Sequence, residues 1–144
     1  MGSFLKASAR VTAQVAKEIA AGRSSVNMLA NQFSTEILTV DIGIDSDIYC
    51  SNIINKKIAY GTRSIVKGPA MDPSQARKAI SNGIEIVYDL CRNGTDIIIT
   101  GEMGIGNTTT SAAIASLILG IPAEITTGRG AGLDSSGMSR KIAA

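Results

Sequence analysis

The chain has 144 residues, the size of one ordinary domain, and its 14 Lys and Arg against 12 Asp and Glu give a scattered net charge of +2, with no basic surface for nucleic acid. Two Phe, three Tyr and no Trp offer no stacking platform for bases. The absence of His removes the commonest general base, the usual zinc ligand and every Ser-His triad, so any chemistry falls to carboxylates, lysine or amides.

Residues 1–10, MGSFLKASAR, lack an apolar core of signal-peptide length, and Lys6 stands where an acylation signal would carry Ser or Thr. They read as a leader or a frayed start, with an α/β domain over 11–144. Val11, Val15 and Ile19 recur at helical spacing up to Gly22, and Val26, Leu29 and Ala30 predict a second helix before Phe33. Glu36 to Ile44 reads as a strand with Asp41 and Asp45 at its carboxyl end. The stretch from Ile53 to Ile65 reads as a loop carrying one short strand, with Lys56, Lys57 and Arg63 on a solvated face. Cys50 and Cys91 have no metal-like spacing and read as free thiols in a reducing compartment. No apolar run reaches the roughly 18 residues of a membrane span, which predicts a soluble chain.

Asp72, Pro73 and Gln75 supply an N-cap, a first-turn proline and a capping-box partner. The long helix they start is expected to pack the face of Ala76, Ala79, Ile80, Gly83, Ile84, Val87, Leu90 and Cys91, with Gly83 allowing close approach to a sheet and Gly94 as the left-handed stop. Ile97, Ile98 and Ile99 then predict a buried parallel strand running into a glycine loop and a helix over Thr108 to Leu119. That helix is apolar all round, so it is expected to be buried on most sides or to lie at a subunit interface. A short strand at Ile125 to Thr127 leads to a second glycine loop at 128–134, and Asp134 caps a last helix that reaches Ala144 with no glycine or proline stop, as in a cut chain.

The first loop reads as an anion site. Gly101, Gly104 and Gly106 let the backbone turn with bare amides, and Asn107 to Thr110 lie at a helix start, where free N–H groups and the helix dipole favour a phosphate or carboxylate. Gly101, Gly106, Asn107 and Thr108 follow the triphosphate-loop spacing except that Asn107 replaces its lysine, and Glu102 adds a negative charge. The glycines also run G-x-x-G-x-G, not the dinucleotide order. A monophosphate fits better than a triphosphate; a glycine-rich turn with no ligand is the bland alternative. Two parallel strands ending in glycine loops would place Gly104 to Thr108 and Gly128 to Gly130 on one carboxyl sheet edge. Arg129 would serve that edge or stand simply exposed.

GEMGIGNTTTSAA at 101–113, GRGAGLDSSGMSRK at 128–141, VTAQ at 11–14 and GPAM at 68–71 together resemble the nicotinate-nucleotide–dimethylbenzimidazole phosphoribosyltransferase family. The resemblance implies an incomplete Rossmann-like three-layer α/β fold with a parallel sheet, in a cytoplasmic homodimer of cobalamin nucleotide-loop assembly, without metal or cofactor. Such enzymes move phosphoribosyl from nicotinate mononucleotide to dimethylbenzimidazole, giving α-ribazole phosphate and nicotinate. By resemblance, the amides of Gly104, Ile105, Gly106, Asn107 and Thr108 hold one phosphate. Gly128, Arg129, Gly130 and Lys141 complete the mononucleotide site, and Gln14 lies beside the benzimidazole. Glu102 matches an active-site glutamate that orients substrate or supports proton transfer; shaping the turn is its other reading. The family's principal catalytic glutamate and its Asp-His-Gly strand have no counterpart, so the chain resembles a middle section of the enzyme. A non-catalytic mononucleotide-binding or assembly module is the competing function; a phosphate-loop NTPase is disfavoured by Asn107.

Overall fold

The computed structural model describes residues 2–144, with side chains from Arg10 onward. Met1 and the side chains of residues 2–9, on which the expected leader falls, lie outside the described residues; the backbone of α1 runs Gly2–Ala20. Two compact units make up the chain, one of residues 1–63 and 70–105 and a second of residues 64–69 and 106–144.

In the first unit, α1 and α2 (Ser25–Gln32) precede β1 (Thr39–Asp41) and β2 (Ile53–Asn55), which pair in parallel with Thr39 opposite Ile53 and Asp41 opposite Asn55. Ala13 and Ala16 are buried on α1 and Ile53 on β2, the small alanines letting the helix sit close to the strands. Gly22 ends the first helical segment at φ +77°, as its sequence position predicts. The α/β class with a parallel sheet is borne out, and the sheet has two strands among the described residues.

The expected strand over 36–44 shrinks to Thr39–Asp41 because Asp41 turns back on the chain: its Oδ1 accepts from the amides of Gly43 at 3.0 Å and Ile44 at 2.9 Å. Asp41 is 3% exposed, and its Oδ2 lies 3.0 Å from Lys57 Nζ. The amine also donates to the carbonyls of Ser46, at 2.9 Å, and Ile44, and stands 4.6 Å from the centre of the Tyr60 ring. Lys57 therefore does not lie on a solvated face; its side chain is 13% exposed, and a buried carboxylate requires the cation beside it.

Helix α3 (Pro73–Arg92) starts as its sequence predicts, with Asp72 and Gln75 forming the capping box, and stops at Gly94 with φ +86°. Asn82 Nδ2 donates to the Lys56 carbonyl at 3.0 Å and Lys56 pairs with Glu85 at 2.7 Å, tying α3 to the chain just past β2. That pairing holds the Glu85 carboxyl below its usual range. The face expected to be packed is instead open: Ile80, Ile84 and Val87 are exposed, and a Cβ on Gly83 would meet nothing within 4 Å. The strand expected at Ile97 to Ile99 is also absent: a strand forms only beside a partner, and β1 and β2 pair with each other and not with this segment.

In the second unit, α4 (Asn107–Leu119) begins at Gly106 and ends at Gly120, and packs against the short α5 (Ala123–Thr126). Of the two readings of α4, burial on most sides within the chain is not observed: Ala112 is buried while Ile114, Leu117 and Ile118 are exposed. The strand expected at Ile125 to Thr127 is the turn of α5, where Pro122 presets the helix start and accepts from the Ile125 amide at 3.0 Å. Helix α6 (Ser135–Ile142) is capped by Asp134 as expected.

Replacing Lys57 by Met leaves the Asp41 carboxylate without its cation. Urea denaturation is expected to show a loss of about 3–5 kcal/mol, the cost of breaking a buried pair from one side, while Lys56→Met, on an exposed pair, costs under about 1 kcal/mol.

Candidate functional site

Gly106, at φ +91°, turns the chain into α4 in a left-handed conformation that a Cβ makes costly. Asn107 and Thr108 thereby occupy the first turn of a 13-residue helix, at the positive end of its dipole. The Gly106 carbonyl accepts from the Thr109 amide at 2.9 Å, and Thr110 Oγ1 donates to the Asn107 carbonyl at 3.0 Å.

Lys141, in the last turn of α6, reaches this helix start. Its Nζ donates to Thr108 Oγ1 at 2.8 Å and to the Gly128 carbonyl at 2.9 Å. Gly130 lies against the same two side chains: a Cβ there would stand 2.8 Å from Thr108 Oγ1 and 3.3 Å from Lys141 Nζ, and its φ is +59°. Helix α6 is anchored by Asp134, whose Oδ1 accepts from the Gly137 amide at 2.6 Å and the Ser136 hydroxyl at 3.0 Å. These bonds, the amide first, hold the Asp134 carboxyl below its ordinary range. The second unit thus gathers a helix start, a hydroxyl, an ammonium group and a glycine loop within hydrogen-bond range.

Arg129 points elsewhere, its Nη1 donating to the Leu133 carbonyl at 2.7 Å across its own loop. Neither strand expected before the two glycine loops forms; within the second unit, Lys141 joins the start of α4 to the Gly128 loop through the Thr108 hydroxyl and the Gly128 carbonyl.

The first unit holds the other candidates. The Ile105 amide donates to Thr12 Oγ1 at 3.4 Å, which joins the VTAQ segment to the GEMGI segment. Sequence reasoning missed Thr12, although its place two residues before Gln14 was the available signal. Gln14 Nε2 donates to Glu18 Oε1 at 2.6 Å, one turn along α1, and Arg23 Nε donates to Glu18 Oε2 at 2.7 Å. Arg23 above all, with Gln14 helping, holds the Glu18 carboxyl below its usual value. Glu102 and Met103 are exposed, and Gly104 is half-buried. Among the described residues no three His, Cys, Asp or Glu side chains are grouped to hold a metal ion, and no helix is long and apolar enough to cross a membrane.

A family model described as phosphoribosyltransferase matches residues 4–144, and the chain belongs to that family. Within it, the chain is similar to the nicotinate-nucleotide–dimethylbenzimidazole phosphoribosyltransferases of Ruminiclostridium cellulolyticum, at 46% identity over 132 residues, and Acetivibrio thermocellus, at 44% over 132. Each alignment covers 92% of this chain and 38% of the relative, so the chain spans about two fifths of the length of the curated relatives it matches. Its structure is similar to the crystal structure of CobT from Thermus thermophilus, with a TM-score of 0.88 at 32% identity, over 92% of this chain and 40% of that one. The resemblance drawn from GEMGIGNTTT and GRGAGLD is borne out.

Two outcomes follow from this geometry. Gly130→Ala is expected to lower stability by at least about 1–2 kcal/mol, the left-handed penalty alone, and to displace the Thr108 and Lys141 side chains, read by chemical denaturation and by NMR shifts of α6. Asp134 binds its proton less tightly in the folded chain than in the unfolded one, so its contribution is full above the unfolded carboxyl pKa of about 3.9. It is lost as pH falls through the lower folded value. Acid titration followed at the Gly137 amide should show this loss, and Asp134→Asn should flatten the pH dependence.

Proposed function

We propose that this chain supplies the phosphate-holding section of a phosphoribosyltransferase that moves phosphoribosyl from nicotinate mononucleotide to dimethylbenzimidazole, giving α-ribazole phosphate and nicotinate. The observation that carries the reading is the Lys141 amine held 2.8 Å from the Thr108 hydroxyl at a helix start, beside a Gly130 that leaves no room for a Cβ. A single phosphate at that point meets one full positive charge, one hydroxyl and the first-turn amides of α4. A triphosphate would need more cations than the loop offers.

Gly106, Asn107 and Thr108 would bind the phosphate through backbone amides, with Gly104 and Ile105 leading into the turn and Gly128 and Gly130 lining it. Lys141 would leave its two oxygen acceptors for the phosphate. Arg129 would brace its loop through Leu133, and Gln14 would contact the azole. In the reaction an azole nitrogen attacks the anomeric carbon. The C–N bond to nicotinate breaks, its electron pair restoring the neutral pyridine ring, and the azole N–H proton passes to a base. Glu102 would orient the acceptor or relay that proton. The reading carries with it a cytoplasmic homodimer working on small molecules, in cobalamin nucleotide-loop assembly. It also takes residues 11–144 as one section of the enzyme's α/β domain.

Calorimetric titration of the chain with nicotinate mononucleotide, with and without dimethylbenzimidazole, tests the reading. Lys141→Met is expected to weaken binding about tenfold to a hundredfold, as a charged hydrogen bond of about 1.5–3 kcal/mol requires. Gly106→Val, a β-branched residue at φ +91°, is expected to abolish it. Glu102→Gln is expected to keep the affinity and slow turnover in the assembled enzyme, measured by chromatography of α-ribazole phosphate. Binding without product would favour a mononucleotide-binding module. Unchanged affinity in both the lysine and the glycine variants would end the site assignment.

A further inference from the structure

The loop and helix that follow α5 carry three cations, Arg129, Arg140 and Lys141, and the two arginines are turned inward. Arg129 and Leu133 bond reciprocally: the Leu133 amide donates to the Arg129 carbonyl at 3.1 Å, and Arg129 Nη1 donates back to the Leu133 carbonyl at 2.7 Å. The second bond is charge-assisted, so it closes the 129–133 loop more firmly than the turn alone. Leu133 is in turn pressed on α6. A Cβ at Gly137 would stand 3.1 Å from Leu133 Cδ2 and 3.3 Å from Leu133 Cβ, so the leucine lies against the helix where α6 carries no side chain. Asp134 fixes the same turn through the Gly137 amide and the Ser136 hydroxyl, and Arg140 Nη1 donates to Ser136 Oγ at 3.2 Å.

The braced loop adjoins Lys141 at both of its ends. Gly128, whose carbonyl accepts from Lys141 Nζ at 2.9 Å, immediately precedes Arg129. At the other end the loop passes through Leu133 into α6, which carries Lys141 about two turns along. Both routes from Arg129 therefore lead to one amine. We propose that Arg129 is a positioning residue for Lys141: by closing the 129–133 loop it sets the Gly128 carbonyl and the start of α6, and its effect on anion binding passes through the lysine, with no contact of its own to the phosphate. The inference deepens the proposed function and rests on its placing of one phosphate at Lys141. An arginine that met the anion would offer its planar fork to two phosphate oxygens, whereas this one is turned back on its own loop. Arg140 is likewise engaged within α6, which leaves Lys141 as the one of the three cations set among the atoms of the α4 start.

The test is a double-mutant cycle on the 144-residue chain, titrated calorimetrically with inorganic phosphate and with nicotinate mononucleotide. Arg129→Met alone is expected to weaken binding about twofold to tenfold, the net worth of one hydrogen bond. In the Lys141→Met background the same substitution is expected to cause no further loss, because residues that act through one another are not additive. Losses that multiply, as two separate phosphate contacts give, would overturn the inference, and so would an Arg129→Met chain of unchanged affinity. The wild-type chain gives a second reading that needs no substitution and no refolding of the loop. When inorganic phosphate is added, the nitrogen resonances of the Arg129 guanidinium should hold while those of the Lys141 amine and the Thr108 amide move. An Arg129 shift as large as that of Lys141 would place the guanidinium on the phosphate and end the positioning role. A wild-type chain that binds neither probe would fail the functional reading and this inference together, whereas multiplying losses in a chain that binds would sink the inference alone and leave the phosphate site standing.

Discussion

The first unit depends on one carboxylate. Asp41 ends β1, and its two oxygens do separate work: Oδ1 gathers the amides of Gly43 and Ile44 into a turn, while Oδ2 holds Lys57. The lysine carries the constraint across to the segment after β2, where its amine also satisfies the carbonyls of Ile44 and Ser46. Backbone bonds continue the register of the short ladder past the strands themselves, from Lys56 to Asp41, Ile58 to Ile42 and Gly61 to Gly43. Beside this, Tyr60 donates to Asp47 at 2.5 Å, a bond that raises the phenol's pKa because the carboxylate favours the protonated ring. Burial of so polar a cluster is tolerable because the charges and their remaining donors meet partners. A strand pair of three residues each could not hold the loops at its carboxyl end by ladder bonds alone.

The second unit uses the same device on a different scale. A lysine amine is again placed among oxygen atoms of other segments, but here the setting is half-open and the amine donates to a hydroxyl and a carbonyl in place of a carboxylate. An ammonium group set among neutral oxygens keeps its attraction for an anion, whereas one paired with a buried carboxylate has spent it. Lys57 is therefore committed to structure, while the Lys141 amine keeps its attraction for an anion. The glycines divide in the same way: Gly106 is required by its backbone angle, and Gly130 by its angle and by the two side chains pressed against it.

Much of the local architecture was legible in the residues. Asp72-Pro73 with Gln75, Gly94, Gly22 and Asp134 mark helix ends through bonds spanning a few residues, and each element stands where its signal placed it. The glycine loops with Thr108 and Lys141 were legible as motifs, and family membership followed from their combination. Ile97 to Ile99 failed as a strand because strand formation is a property of pairs and apolar composition supplies only half of a pair, and Ile125 to Thr127 because Pro122 starts a helical turn there. Lys57 failed as a surface residue because a lysine in a basic stretch gives no sign that a carboxylate is buried across the ladder from it.

The sequence by itself determined the helices other than α5, their caps and glycine stops, and the family, since capping, left-handed glycines and motif spacing act over distances the chain fixes covalently. Tertiary structure decided which charges are buried, which predicted strands pair, and that Lys141 meets Thr108 across 33 positions of chain. Those outcomes depend on contacts between segments far apart in sequence, whose closure entropy is repaid only by the packing and hydrogen bonds of the folded state.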